Sequence, residues 1–258
     1  MKIFKSFNVL NKEINSNNSI GFVPTMGSLH NGHLHLIKTA KKKSNKVVVS
    51  IYINPSQFNE KGDYLKYPRN LKRDILILKK LKIDYLFIPN NKEIYKKGIK
   101  KKINIFQSDK ILCAKYRKGH FEGVLAVINR FLENINAKYL FLGEKDFQQT
   151  YLIKKYIKNK FNTKIISCKT IRNKNKLPLS SRNKLLNIFL IKKSQDISKH
   201  LFRLRVKILN NFKNLKLINS YRSKIELLCD KIDYLEIRNR YNLTKKFSKK
   251  NFKIFIAY

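Results

Sequence analysis

Between Pro24 and His33 the chain reads Pro-Thr-Met-Gly-Ser-Leu-His-Asn-Gly-His, with two histidines three positions apart. Residues at that spacing share a helix face, so His30 and His33 would stand together. A helix opening there would also present unpaired N–H groups and the positive end of its dipole, a setting suited to phosphate. Gly27 lets the chain turn and approach a ligand closely, and Gly32 leaves room beside the first helical turn. The imidazoles could donate to phosphate oxygens as negative charge develops. The bland alternative is a pair of surface histidines beside an ordinary turn. A metal site would need a third ligand, and no cysteine or obvious carboxylate partner stands nearby. The G-K-[ST] ending of a P-loop is absent.

Four further stretches carry usable groups. In Asn54-Pro55-Ser56-Gln57-Phe58, Gln57 offers an amide donor and acceptor to a small substrate's hydroxyl or carboxylate, or else packs its loop. In Gly143-Glu144-Lys145-Asp146, Lys145 can neutralise phosphate or a developing pyrophosphate. Asp146 caps the next helix or helps hold Mg²⁺ through a nucleotide. Gln148 and Gln149 follow in that helix's first turn, with one of them turned to a pocket. Leu179-Ser180-Ser181-Arg182-Asn183 gathers two hydroxyls and a guanidinium, either phosphate donors or a plain helix cap. Arg117 and His120 could meet an anionic substrate, or sit in a solvated basic loop.

These groups fall at the ends of short β-rich runs. Ile20–Val23, Val47–Ile53, Tyr85–Ile88, Tyr139–Leu142 and Thr163–Ser167 read as buried strands. Helices are predicted from Asn31, over Leu71–Leu81, Gly123–Leu132 and Phe147–Tyr156. Alternating strands and helices imply a mostly parallel sheet covered on both faces, with ligands beyond the strands' C-terminal ends. After Asn183 the texture changes to a basic helical stretch, Leu185–Phe212, and a possible helix at Lys224–Cys229. Two alternating segments, 233–237 and 252–256, follow. The expected organisation is an α/β domain over 1–182 and a small, partly antiparallel α+β domain over 183–258, a trimmed lid.

The 58 Lys and Arg exceed the 16 Asp and Glu to give a formal charge of +42. Such a chain attracts polyanions at low salt. The basic residues are spread along the whole chain, however, with no arginine-rich tail, zinc-finger spacing or aromatic RNA-reading motif. Biased composition is the plainer explanation, and no specific nucleic-acid partner is expected. The start of the chain lacks a signal-peptide pattern, its apolar runs are strand-sized, and Cys113, Cys168 and Cys229 are scattered. A cytoplasmic protein without a membrane span is expected.

Taken in order from Gly21 to Asn183, P-T-M-G-x-L-H-x-G-H, N-P-x-Q-F, G-H-F-x-G-V, G-E-K-D-x-Q-Q and L-S-S-R-N resemble the pantoate–β-alanine ligases (pantothenate synthetases). That family belongs to the H-x-G-H nucleotidyltransferase superfamily. The resemblance implies a Rossmann-like nucleotidyltransferase fold and two steps. Pantoate and ATP give pantoyl adenylate and pyrophosphate, then β-alanine takes the acyl group to give pantothenate and AMP. It implies that ATP meets Met26, Gly27, Ser28, Leu29, His30, Asn31, Gly32 and His33. Further nucleotide contacts would come from Gly143, Glu144, Lys145 and Asp146, from Leu179, Ser180, Ser181 and Arg182, and from Ile171, whose backbone meets adenine.

The same resemblance assigns pantoate to Gln57, Gln149 and Met26, and the catalytic roles to His33, His30, Lys145 and Arg182. His33 is the family's assigned proton donor. Adenylation by a carboxylate loses no proton, so charge stabilisation is expected to contribute more. Mg²⁺ would arrive on the ATP phosphates, without a protein cage, and a homodimer is implied.

Three departures stand out. Arg117-Lys118 replaces the usual Arg-Pro. Arg172-Asn173-Lys174-Asn175-Lys176-Leu177-Pro178 replaces Arg-Glu-x-Asp-Gly-Leu-Ala, losing two acids and a glycine, which predicts a looser hinge. The end at Tyr258 lacks the family's usual G-x-x-R-L-I-D-N-like sequence. The alternatives are another nucleotidyltransferase of the superfamily, or a basic nucleic-acid-binding protein on the same fold.

Overall fold

The computed structural model describes residues 1–14, 19–96, 103–212 and 216–258. It divides into two units. Met1–Ile171 with Leu179–Arg182 makes the first, and Arg172–Pro178 with Asn183–Tyr258 makes the second. Sequence texture alone places 172–178 in the first unit. The structure puts it in the second.

In the first unit the strands are β1 (Lys2–Phe4), β2 (Ile20–Thr25), β3 (Lys46–Ile51), β4 (Tyr85–Phe87), β5 (Tyr139–Gly143) and β6 (Lys164–Cys168). Its helices are α1 (Phe7–Glu13), α2 (Asn31–Lys43), α3 (Lys61–Lys66), α4 (Leu71–Lys80), α5 (Asn91–Ile94), α6 (Cys113–Tyr116), α7 (His120–Asn134) and α8 (Phe147–Tyr156). All pairings are parallel, in the order β1-β4-β3-β2-β5-β6.

Successive strand residues point to opposite faces, so a sheet covered twice needs apolar side chains at every position. Phe22, Val48, Leu140 and Leu142 join one buried cluster with α1, α7 and α8. Their neighbours Val23, Val47, Val49 and Phe141 join another with α2 and α4. This explains why these strands read as unbroken apolar runs.

From the central β2 the chain adds β3 and β4 on one side, then returns to place β5 and β6 on the other. The strand order therefore reverses beside β2 and β5, and a crevice opens past the C-terminal ends of such strands. Pro24 belongs to β2 rather than stopping it. Helix α7 begins at His120, three residues before the predicted start, because Gly119 takes a left-handed φ of 77° that turns the chain into it.

In the second unit, α9 (Ile188–Asn210) and α10 (Leu217–Glu226) pack on the antiparallel hairpin of β7 (Tyr234–Asn239) and β8 (Phe252–Ala257). Helix α10 starts well before the predicted Lys224. Leu217, Tyr221 and Ile225 recur every four residues and face Leu204, Ile208 and Ile237 in one core. Among the described residues no helix is long and apolar enough to cross a membrane.

Candidate active site

The 24–33 segment turns sharply as β2 ends. Gly27 and Ser28 both take left-handed backbones, at φ 76° and 51°. Thr25 Oγ1 donates to the Ser50 carbonyl and accepts from the Gly27 N–H, tying the turn to β3. The Ser28 and Leu29 N–H groups donate to the two carboxylate oxygens of Asp74, at 2.7 and 2.8 Å.

Helix α2 then opens with a reciprocal cap. His30 Nδ1 accepts from the Gly32 N–H at 3.1 Å, and His33 Nδ1 accepts from the His30 N–H at 3.3 Å. A nitrogen that accepts must carry its lone pair, so each ring holds its proton on Nε2. The rings lie 4.1 Å apart. A Cβ on Gly32 would stand 2.7 Å from His30 Cε1, so the imidazole cap needs glycine there. The two histidines share a face as their spacing predicts, and they also hold the helix start in shape.

After β3 the 55–57 turn is organised by Asn54, which is 1% exposed. Its oxygen accepts from Ser56 and from Tyr95 Oη, and its Nδ2 donates to the Gly123 carbonyl. The same Nδ2 lies 3.5 Å from Gln57 Oε1, and Gln57 Nε2 donates to Met26 Sδ at 2.7 Å. Gln57 is thereby joined to Met26 across the cleft floor.

Arg117 and His120 come next to it. A guanidinium can only donate, so His120 Nε2 accepts from Arg117 Nη1 at 3.1 Å. His120 Nδ1 then donates to the Gln57 carbonyl at 2.6 Å. Burial, then the Arg117 charge, push this imidazole down to about 4. Burial, joined by Arg182, also holds Arg117 below its ordinary value. These two residues sit in the cleft wall, not in a solvated loop.

Past β5, Lys145 Nζ pairs with Asp146 Oδ1 at 3.0 Å. Crowding in the cleft opposes the Asp146 charge, but Lys145 outweighs it and the carboxyl lies below its usual range. Gln149 lines the cleft, whereas Gln148 is buried and donates to the Ile111 carbonyl. Of the two hydroxyls in 180–182, Ser181 is turned inward and donates to the Ser28 carbonyl at 3.0 Å. Its proton is spent on the histidine loop rather than on a ligand. Arg182 makes a bidentate pair with Asp63, at 2.8 and 3.0 Å, and stacks over Tyr67 and Phe58. Burial works against the Arg182 cation and Asp63 outweighs it, while hydrogen bonding to Arg182 lowers the Asp63 carboxyl.

One cleft in the first unit is therefore lined by Met26, His30, Gly32, His33, Gln57, Gly143, Lys145, Asp146, Gln149, Ile171, Leu179, Ser180, Ser181 and Arg182. Tyr52, Val124, Val127, Ile128 and Phe131 add an apolar wall. Gly27, Ser28, Leu29, Asn31 and Glu144 are not among the lining residues. Leu29 is packed in the core and Ser28 is buried, so the loop's middle contributes shape rather than side chains.

Lining residues missed by the motifs include Tyr67, Lys169 and Thr170, and Asn54 lies inside a motif without being given a role. Lys169 follows β6 much as Lys145 follows β5, a signal visible in the chain. Asp63 and Asp74 lie behind the lining. Asp74 was detectable as a carboxylate four residues before Leu78, on the buried side of α4.

The family model for pantoate-beta-alanine ligase matches residues 2–258. A pantothenate synthetase of Francisella tularensis subsp. mediasiatica (strain FSC147) is 43% identical over 240 residues, spanning 91% of this chain and 87% of the relative. The crystal structure of pantothenate synthetase from Thermus thermophilus superposes with a TM-score of 0.89 at 29% identity, covering 95% of this chain and 89% of that one. The Francisella tularensis pantoate-beta-alanine ligase, complexed with beta-gamma ATP and beta-alanine, superposes with a TM-score of 0.82 at 38% identity, covering 100% and 97%.

Proposed function

The chain belongs to the pantoate–β-alanine ligase family, and we propose that this cleft is where its ATP-dependent ligation of pantoate to β-alanine runs, through a pantoyl adenylate. The observation that carries the reading is the convergence of four phosphate-handling side chains, His30, His33, Lys145 and Arg182, on the cleft that holds Met26, Gln57 and Gln149. A relative solved with beta-gamma ATP and beta-alanine supports it.

In the first step a pantoate carboxylate oxygen bonds to the α-phosphorus of ATP, and the bond from that phosphorus to the bridging oxygen breaks. Charge builds on the phosphate oxygens and on departing pyrophosphate. The His30 and His33 Nε2–H groups donate to those oxygens, while Lys145 and Arg182 offset the pyrophosphate charge. No proton moves, so His33 serves by hydrogen bonding rather than as an acid.

Gln57 and Gln149 orient pantoate by its hydroxyls and carboxylate, with its methyl groups against Met26 and the apolar wall. In the second step the neutral β-alanine amine attacks the acyl carbon, AMP leaves with the bonding pair, and the nitrogen's extra proton passes to solvent water. Arg117, beside neutral His120, supplies a cation in the same wall for a carboxylate.

Mg²⁺ further neutralises the triphosphate when bound. The cleft's donor-rich set suits an ion carried in on phosphate. Among the described residues no three His, Cys, Asp or Glu side chains cluster to hold a metal, and Asp146 is the carboxylate positioned to assist through phosphate or water.

The deciding experiment is isotope exchange between pyrophosphate and ATP. Exchange should require pantoate, and release of AMP should require β-alanine. Exchange without pantoate would transfer the chain to another nucleotidyltransferase activity, and no exchange at all would remove the adenylate. We also infer a cytoplasmic homodimer from the family resemblance. Sedimentation as a monomer at micromolar concentration would overturn the dimer.

A further inference from the structure

Behind the cleft lies a carboxylate that is not among its lining residues yet holds the loop from which the site is built. The turn at Gly27 and Ser28 aims two successive N–H groups, those of Ser28 and Leu29, into the protein, where these residues are 1% and 2% exposed. Buried donors require acceptors. Asp74, on the first turn of α4 and itself 1% exposed, supplies one oxygen to each at 2.7 and 2.8 Å. The helix dipole favours a negative charge at that position.

On its other side, the same loop presents the Ser28 and Gly27 carbonyls to Ser181 Oγ, at 3.0 and 3.5 Å. Arg182 follows Ser181 directly. One carboxylate on α4 thus anchors the peptide that leads into His30, and that peptide anchors the arm that carries Arg182.

We propose that Asp74 is a positioning residue for the reaction, setting through one loop the register of the His30–His33 pair and of the Ser180–Arg182 arm. This rests on reading the cleft as the ATP site. A carboxylate is required because two converging N–H groups need two acceptors. An asparagine would keep one acceptor and turn an NH₂ donor against the other N–H.

Steady-state kinetics on the full chain test the inference. Losing a charge-assisted hydrogen bond weakens the anchored arrangement of the loop by a factor of about 10–100, and apparent ATP affinity falls with the fraction of loop still in place. Asp74→Asn should raise the KM for ATP by that order while leaving the KM for β-alanine within about twofold. Ser181→Ala, which removes only the hydroxyl, should raise the KM for ATP by itself. Its effect should shrink in the Asp74→Asn background, because both act along one path.

Should Asp74→Asn fail to fold, Gly27→Ala presses on the same clamp from the loop side. Its Cβ would stand 3.1 Å from Asp74 Oδ2 and from Ile51 Cγ2. It should give the same ATP-selective signature, and the same loss of effect from Ser181→Ala.

A folded variant with an unchanged KM for ATP overturns the proposal. So does a loss shared equally by ATP and β-alanine, or full additivity with Ser181→Ala. The parent's pantoate-dependent exchange separates the two levels. Its absence sinks the reading of the cleft, whereas its presence beside kinetically silent variants sinks the role of Asp74 alone.

Discussion

Two contacts fix the tautomer of His120, one from Arg117 and one to the Gln57 carbonyl. Its pKa falls from 6.5 to about 4, first through burial and then through Arg117. The unfolded state therefore binds the extra proton first as pH falls. Between about pH 6.5 and 4 stability must drop with acid, by up to roughly 3 kcal/mol, and the loss is complete below the folded value. Urea unfolding midpoints across this window should slope less in His120→Gln than in the parent. Equal slopes would dismiss this account, since His200, also lowered chiefly by burial, contributes to both proteins alike. Asp63 acts in a separate window. Its depressed carboxyl withdraws stability only as pH falls below the ordinary carboxylate range.

Helix α7 and the 55–57 turn meet so closely that a Cβ on Gly123 would stand 2.3 Å from the Ser56 carbonyl oxygen and 2.9 Å from the Gln57 nitrogen. Those are backbone atoms, so the elements rather than a side chain must move. Gly123→Ala should destabilise the fold by about 1–3 kcal/mol, as overpacking does, and should raise the KM for pantoate by shifting Gln57. An unaltered pantoate KM would show that the turn does not need this helix to aim its glutamine.

The 172–178 hairpin makes a different case. The missing acids and glycine predict a looser element, yet the Asn173 side chain accepts from the Asn175 and Leu177 N–H groups. The Asn173 N–H donates to the Leu177 carbonyl, closing the hairpin. The cost sits at Lys176, left-handed at φ 70° where the family pattern has glycine. Lys176→Gly should raise thermal stability by about 1 kcal/mol, read as a higher unfolding temperature. No increase would indicate that the strain is relieved elsewhere.

At the scale of the molecule, a formal +42 over 258 residues sets the electrostatic background. Like charges on a folded surface repel at long range, and salt screens them. Raising NaCl from about 10 to about 150 mM shortens the screening length from roughly 30 to 8 Å and should raise the unfolding temperature; a flat or falling response would show that local pairs already offset the charge. Much of the architecture was open to reading from the chain. Unbroken apolar runs of strand length, separated by amphipathic helices, require a parallel sheet buried on both faces, and H-x-G-H, N-P-x-Q-F, G-E-K-D and S-S-R-N mark its C-terminal edge. Those features are local, set by side-chain period and by residue type, so they survive in one dimension. Asp74 on Ser28 and Leu29, Asp63 on Arg182, Asn54 beneath Gln57 and the inward turn of Ser181 are different. Each joins segments that are distant along the chain or settles which of several possible partners a polar group takes. Hydrogen bonds in a desolvated interior depend on tenths of an ångström, and only the packed sheet and helices decide which groups come that close.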